Sequence, residues 1–471
     1  MSEELFWKSA WELGELYRDR KVSPVEVVDA VLERLENVNP KINAMVTVTA
    51  DRAREQAKAA EERLRHEDDL PTLFGVPITV KDLTDTAGVR TTYGCQAFAE
   101  HVPEEDALAW ARLKEQGVIL IGKTTTPEFG LLGVTESHLT GSTGTPWDPS
   151  RNSGGSSGGA AAAVVSGIAP IAWGSDGGGS IRVPSSLCGA VGVKPSIGRI
   201  PHAHNTDTDS TEGPITRRVI DAALLLDATV GPHPLDRIAL PATGENYTAA
   251  VREPGDLTGV RIAACYDLGQ GALDPEVRHV FTQALNDMRA AGAWVEEVGI
   301  HLPDTQEFFD QFSSPEYIPY ADELLAAGLP VWPLITDIAA RARLLTGAQV
   351  STAMRQGKTD VYEAFLTVLD GFDIMVTPTT PITAFPHAGD YGPTVLVDDR
   401  EVPPLGLFLH SMTEPPSHAG LPALSICGGF TAEGLPVGLQ FIGPLYADAA
   451  VISVAARYER ATTWHERHPT L

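Results

Sequence analysis

The sequence predicts an α/β fold in which helices cover both faces of one large, mostly parallel sheet. Two observations predict it. Short runs of β-branched residues alternate with helical patterns along the chain. The 471 residues, long for an ordinary domain, also continue without a linker-like shift in composition, as a single large α/β sheet allows.

Ser23-Pro24-Val25-Glu26 combines a capping box with proline at the first helical position, and Val25, Val28, Leu32 and Leu35 recur behind it at helical spacing, so a helix starts here. Residues 50–65, rich in Ala, Glu and Arg, read as a second, more exposed helix. A short β-branched run at 73–80 follows, then a helix around 107–116 and a strand at Val118-Ile119-Leu120-Ile121. Residues 160–165 open a buried helix, and 169–174 form a strand leading into a glycine turn. From about 225 to 375 the pattern is mostly helical and carries no assignable motif, and 427–441 returns to strand character. Residues 1–471 are read as one domain, with the chemistry-bearing motifs within 60–220.

Hydrophobic residues make up 43% and charged residues 21%, a globular balance. The net charge of −27 argues against nucleic acid or an anionic membrane as partner, because both recruit clustered Lys and Arg. Cys95, Cys188, Cys265 and Cys427 are too sparse for a disulfide framework, so reduced, mostly buried thiols are expected. The acidic start, Met1-Ser2-Glu3-Glu4, does not read as a secretory signal. The most apolar stretch, 158–174, is interrupted by Ser166, Gly167 and Pro170 and is a poor bilayer span, so a soluble cytoplasmic protein is expected.

Two glycine-rich turns carry the chemistry. Gly154-Gly155-Ser156-Ser157-Gly158-Gly159 presents one serine, and Asp176-Gly177-Gly178-Gly179-Ser180-Ile181-Arg182 presents another. Without a Cβ, the backbone around Ser180 can aim the amides of Gly177, Gly178, Gly179 and Ser180 at one point, as an oxyanion hole requires. Upstream, Gly75-Val76-Pro77-Ile78-Thr79-Val80-Lys81-Asp82 places a lysine at the end of an apolar strand. Burial there, beside uncharged serines and without an offsetting carboxylate, would lower its pKa and leave it neutral enough to act as a base, while Asp82 would point to the opposite face.

This serine, serine and lysine set resembles the amidase signature family. The likeness extends through Gly122-Lys123-Thr124-Thr125-Thr126-Pro127-Glu128-Phe129-Gly130, residues 147–159, Val193-Lys194-Pro195-Ser196-Ile197-Gly198-Arg199, Val376-Thr377-Pro378-Thr379-Thr380-Pro381 and Gly434-Leu435-Pro436-Val437-Gly438-Leu439-Gln440. It implies an α/β/α sandwich around a large mixed, mostly parallel sheet. It also implies hydrolysis of an amide C–N bond by Ser180, with Ser156, after a cis Gly155–Ser156 peptide, relaying the proton to Lys81. Ser157, Asp176 and Arg182 are read as supporting residues, the last two as a pair that fixes the nucleophile turn. No metal or organic cofactor is implied. The expected partner is a small-molecule amide, anilide, ester or carbamate, and a homodimer is compatible with the reading. In this family the region matching 225–375 varies, so specificity is expected there and around 131–139. Two positions depart from the family pattern: Gly177, where Thr or Ile is frequent, which would loosen the turn, and Cys427, where proline is usual.

Competing motifs are weaker. Gly117-x-x-x-x-Gly122-Lys123-Thr124 has the phosphate-loop spacing, but residues 118–121 read as a buried strand. Gly154-x-Ser156-x-Gly158 fits a Ser-His-Asp nucleophile elbow with His410 or His418 available, which leaves Lys81 and Ser180 unexplained. His465-Glu466-Arg467-His468 has the wrong spacing for a zinc site. Two further readings are the amidase subunit of a tRNA-dependent amidotransferase, whose pattern Ile200-Pro201-His202-Ala203-His204-Asn205-Thr206 does not match, and a non-enzymatic binding protein, disfavoured by the intact triad.

Overall fold

The computed structural model describes residues 2–203, 209–303, 310–387, 395–397, 400–402 and 407–471. Its frame is an eleven-stranded sheet. In chain order the strands are β1 (Met45–Val48), β2 (Pro77–Lys81), β3 (Ile119–Thr124), β4 (Ile171–Asp176), β5 (Val191–Lys194), β6 (Thr211–Thr216), β7 (Arg261–Ala264), β8 (Trp294–Glu297), β9 (Ile374–Pro378), β10 (Ala423–Phe430) and β11 (Pro436–Ile442). They lie side by side as β1-β3-β2-β4-β6-β5-β10-β11-β9-β7-β8.

The sheet is large and mixed, as expected, but its four parallel pairings are confined to the blocks β3-β2-β4 and β9-β7-β8, and the other six are antiparallel. Each block contains a crossover helix, Leu108–Glu115 between β2 and β3 and Pro275–Ala290 between β7 and β8, as parallel neighbours require. The centre is antiparallel because its strands are joined differently: β10 turns directly into β11 through 431–435.

The helix at Pro24–Ile42 starts with the capping box read from the sequence, Ser23 and Glu26 exchanging side-chain and backbone bonds. It buries Val28, Leu32 and Leu35 together with Val27, Val31, Val38 and Ile42. Each such side chain removed from water contributes about 1.5–3 kcal/mol. The second helix spans Ala50–His66, and β2 begins at Pro77 because Gly75, at φ +79°, turns the chain first. The helical reading of 225–375 missed β7 and β8. Each is only four residues long, and β8, Trp-Val-Glu-Glu, is too polar and exposed to show a buried-strand pattern.

Gly158–Val165 is a helix buried along its whole length. It can lie against the sheet because a Cβ on Gly159 would come within 2.6 Å of Thr125 and of the Ala44 carbonyl. All four cysteines are free and buried. Among the described residues no helix is long and apolar enough to cross a membrane.

Candidate active site

β2 and β4 are parallel neighbours with Val80 opposite Trp173, so their carboxyl ends bring Lys81 beside Ser175 and Asp176. Lys81 is fully buried. Its Nζ donates to Ser156 Oγ at 2.7 Å and to Ser175 Oγ at 2.9 Å. Burial pulls its pKa down to about 7, and the negative charges of Asp176 and Glu212 offset part of that effect. Uncharged surroundings were expected, so these two carboxylates are a correction. Asp82, as anticipated, turns elsewhere: it is buried and accepts the Thr92 N–H at 3.0 Å.

The Gly155–Ser156 peptide is cis. The two serine turns join where Ser157 N–H donates to the Ser180 carbonyl at 3.0 Å, and Ser157 Oγ donates to the Ser175 carbonyl at 3.2 Å. Ser180 is 9% exposed, and among the described residues its Oγ makes no hydrogen bond.

Asp176 organises the Ser180 turn. Its carboxylate accepts N–H bonds from Gly179 at 2.7 Å and Ile181 at 3.1 Å, and from Arg182 Nε at 2.9 Å and Nη2 at 2.8 Å. Burial alone would raise its pKa, but Arg182 and these donors hold it down to about 2. Arg182 is itself buried and reaches Gln440 Oε1 at 2.6 Å and Ser417 Oγ at 2.7 Å.

One of the four amides expected to form an oxyanion hole is already engaged. The Gly179 N–H is committed to Asp176, whereas those of Gly177, Gly178 and Ser180 have no acceptor among the described residues. Gly179 is needed for space instead: at φ +136°, a Cβ would fall 2.1 Å from Thr413 Oγ1. At Gly177 a Cβ would meet only Ser210, at 3.4 Å, so glycine is not required sterically there.

Asp176→Asn and Arg182→Ala are each expected to destabilise the fold by about 3–5 kcal/mol, because one buried charge is left unpaired. Urea unfolding alongside kcat checks this. Lost activity with unchanged stability would contradict a structural role for the pair.

The other motifs resolve as structure. Lys123 is buried and donates to Thr86 Oγ1 at 2.8 Å, Thr91 Oγ1 at 3.1 Å and the Thr84 carbonyl, and Ile119–Thr124 is a strand rather than a phosphate loop. His418 Nδ1 lies 3.3 Å from Asp209 and His410 Nδ1 lies 3.7 Å from Glu414. Ser156 is paired with Lys81, as a lysine relay requires and a Ser-His-Asp elbow does not. The ring of His468 stacks on Trp7 at 3.9 Å. Among the described residues no three His, Cys, Asp or Glu side chains gather as metal ligands.

Sequence reasoning missed Ser175, Thr413, Ser417 and a role for Gln440. Only Ser175, adjacent to the Ser180 motif, carried a local signal. An apolar cluster beside the turn joins Val183 and Leu187 to Leu132 and Val134, and to Trp332 and Ile335 of the helical region.

A buried lysine hydrogen-bonded to one serine, beside a second serine on a glycine-rich turn at the carboxyl ends of a mixed sheet, is the arrangement that this geometry defines. The Amidase family model matches residues 26–326 and 334–452. An acylamidase of Rhodococcus erythropolis is 35% identical over 99% of this chain and 98% of its own length. A glutamyl-tRNA(Gln) amidotransferase subunit of Moorella thermoacetica is 34% identical over 99% of both chains. Among solved structures, a bacterial aryl acylamidase of the amidase signature family superposes with a TM-score of 0.90 at 29% identity, covering 98% of each chain. The chain belongs to the amidase signature family and is a hydrolase of carbon–nitrogen bonds other than peptide bonds.

Proposed function

We propose that this protein is a free-standing amidase that cleaves small or hydrophobic amides and anilides through a Ser180 acyl-enzyme. The observation that carries the reading is the fully buried Lys81, hydrogen-bonded at 2.7 Å to Ser156 while Ser180 Oγ is left without a partner among the described residues. Neutral Lys81 takes the proton of Ser180 through Ser156, and Ser180 Oγ bonds to the acyl carbon. The N–H groups of Gly177, Gly178 and Ser180 receive the oxyanion. The C–N bond then breaks as the relay returns the proton to the leaving nitrogen. Water, deprotonated by the same relay, releases the acyl group as a carboxylic acid and restores Ser180.

The segments 131–139 and 225–375 shape the substrate pocket, a reading supported by the apolar cluster that joins them to the helix behind Ser180. The names of the acylamidase and aryl acylamidase relatives support acyl amides as substrates. An oxyanion site binds the carbonyl rather than its substituent, so activated esters and carbamates are cleaved too, with discrimination from pocket contacts worth only about 1–3 kcal/mol per methylene.

The test is a hydrolysis screen of the isolated chain across short acyl amides, anilides, aryl esters and carbamates. Turnover of at least one amide or anilide without ATP, metal or partner is expected, accompanied by ester and carbamate cleavage. The amidotransferase relatives support a second reading, the amidase subunit of a tRNA-dependent amidotransferase. Activity only with a partner protein and aminoacyl-tRNA would favour it. The sequence mismatch at 200–206 weighs against that reading, although residues 204–206 lie outside the described residues.

A further inference from the structure

Glu414 and His410 stand outside the Lys81, Ser156 and Ser180 set, yet they pack against the turn that carries Ser180. Thr413 Oγ1 donates to the Gly178 carbonyl at 2.7 Å. A Cβ on Gly178 would sit 3.0 Å from Glu414 Cγ and 3.5 Å from its Oε1. The Glu414 side chain is 2% exposed, and its ion-pair neighbour, His410 Nδ1, is 3.7 Å away, beyond hydrogen-bond reach. Among the described residues the Glu414 carboxylate accepts no hydrogen bond, and its oxygens are not among the side-chain atoms sealed from solvent without a partner, so they stay open to a donor.

His410 Nε2 is buried without a partner among the described residues. It faces Gly133, where a Cβ would come within 2.6 Å of it. The neighbouring carbonyls of Leu132 and Val134 abut Gly155, so the Glu414–His410 pair bridges the Ser180 turn and the loop beside the Ser156 turn. A carboxylate beside free amides opposes the negative charge those amides would receive, unless a cation compensates it. A substrate cation held there would supply that compensation together with the missing hydrogen bonds.

We propose that Glu414 is a specificity-determining residue that binds an ammonium group on the carbon next to the scissile carbonyl, so that amino-acid amides are the preferred acyl class. The assignment rests on the hydrolytic reading above and narrows its substrate.

The test compares two nearly isosteric anilides, alanine p-nitroanilide and isobutyryl p-nitroanilide, which differ by an ammonium in place of a methyl. With the wild-type protein, kcat/KM is expected to favour the alanine compound by about 10- to 100-fold, the range of a hydrogen bond to a charged group. Glu414→Gln is expected to collapse that ratio toward unity, chiefly through KM for the alanine substrate. A wild-type ratio at or below unity overturns the assignment without recourse to any variant. An unchanged ratio in Glu414→Gln, with both substrates slowed alike, also overturns it while leaving the amidase reading intact. A wild-type protein inert toward these and all other amides overturns both.

Discussion

Ser180→Ala is expected to lower kcat by a factor on the order of 10⁶, the loss typical of removing a serine nucleophile from a relay whose members act as one unit. Intact-mass spectra of the variant mixed with an activated ester should show no acyl adduct, whereas wild type should show one. The reason is geometric. Ser180 stands on the turn where the amides of Gly177, Gly178 and Ser180 are uncommitted, and its Oγ has no hydrogen bond among the described residues. The variant should remain folded, because the contacts that hold the turn run through Asp176 and Arg182 rather than the Ser180 hydroxyl. A variant that still accumulates an acyl adduct would contradict the assignment.

Lys81→Ala is expected to slow acyl-enzyme formation by about 10² to 10⁴, the usual contribution of a general base. The pH profile is the more diagnostic readout. The base must be neutral, and Lys81 is pulled from the ordinary lysine range down to about 7 by burial, against the opposing charges of Asp176 and Glu212. Wild-type kcat/KM should therefore rise with pH through about 7 and level off above it, and Lys81→Ala should lose that rising limb. A limb that survives the substitution would assign the titration to another group.

Much of this site was legible because its signals are local. Glycines cluster where a backbone must wrap a charge, and Lys81 ends an apolar run that reads as a buried strand, so chemistry and burial coincide within a few residues. What was not legible depends on direction or distance. The sequence supplies four amides at 177–180, but only the fold shows that Asp176 takes the one from Gly179. Arg182 meets Gln440, 258 residues away, and Ser417, 235 residues away, contacts that no spacing rule reaches. Glu414 reads as an ordinary acidic residue before Pro415-Pro416 until the fold sets it against Gly178.

The same contrast holds for the fold. The helix at Pro24–Ile42 announces itself through cap and periodicity together, whereas Arg261–Ala264 is too short for either signal to accumulate. The alternation of strands and helices correctly implied crossovers but could not reveal the antiparallel centre, which depends on which strand each connection returns to.

The most direct test of the division of labour between the two serines is covalent labelling of the wild-type protein with a serine-directed phosphonate, followed by peptide mass spectrometry. Arg151 and Arg182 bound a single tryptic peptide that carries both Ser156 and Ser180, so a further cleavage before Asp176 is needed to separate them. The expected result is label on the Asp176-containing fragment at Ser180, with Ser156 unmodified. Label on Ser156 would contradict the account and make Gly154-x-Ser156-x-Gly158 the nucleophile turn.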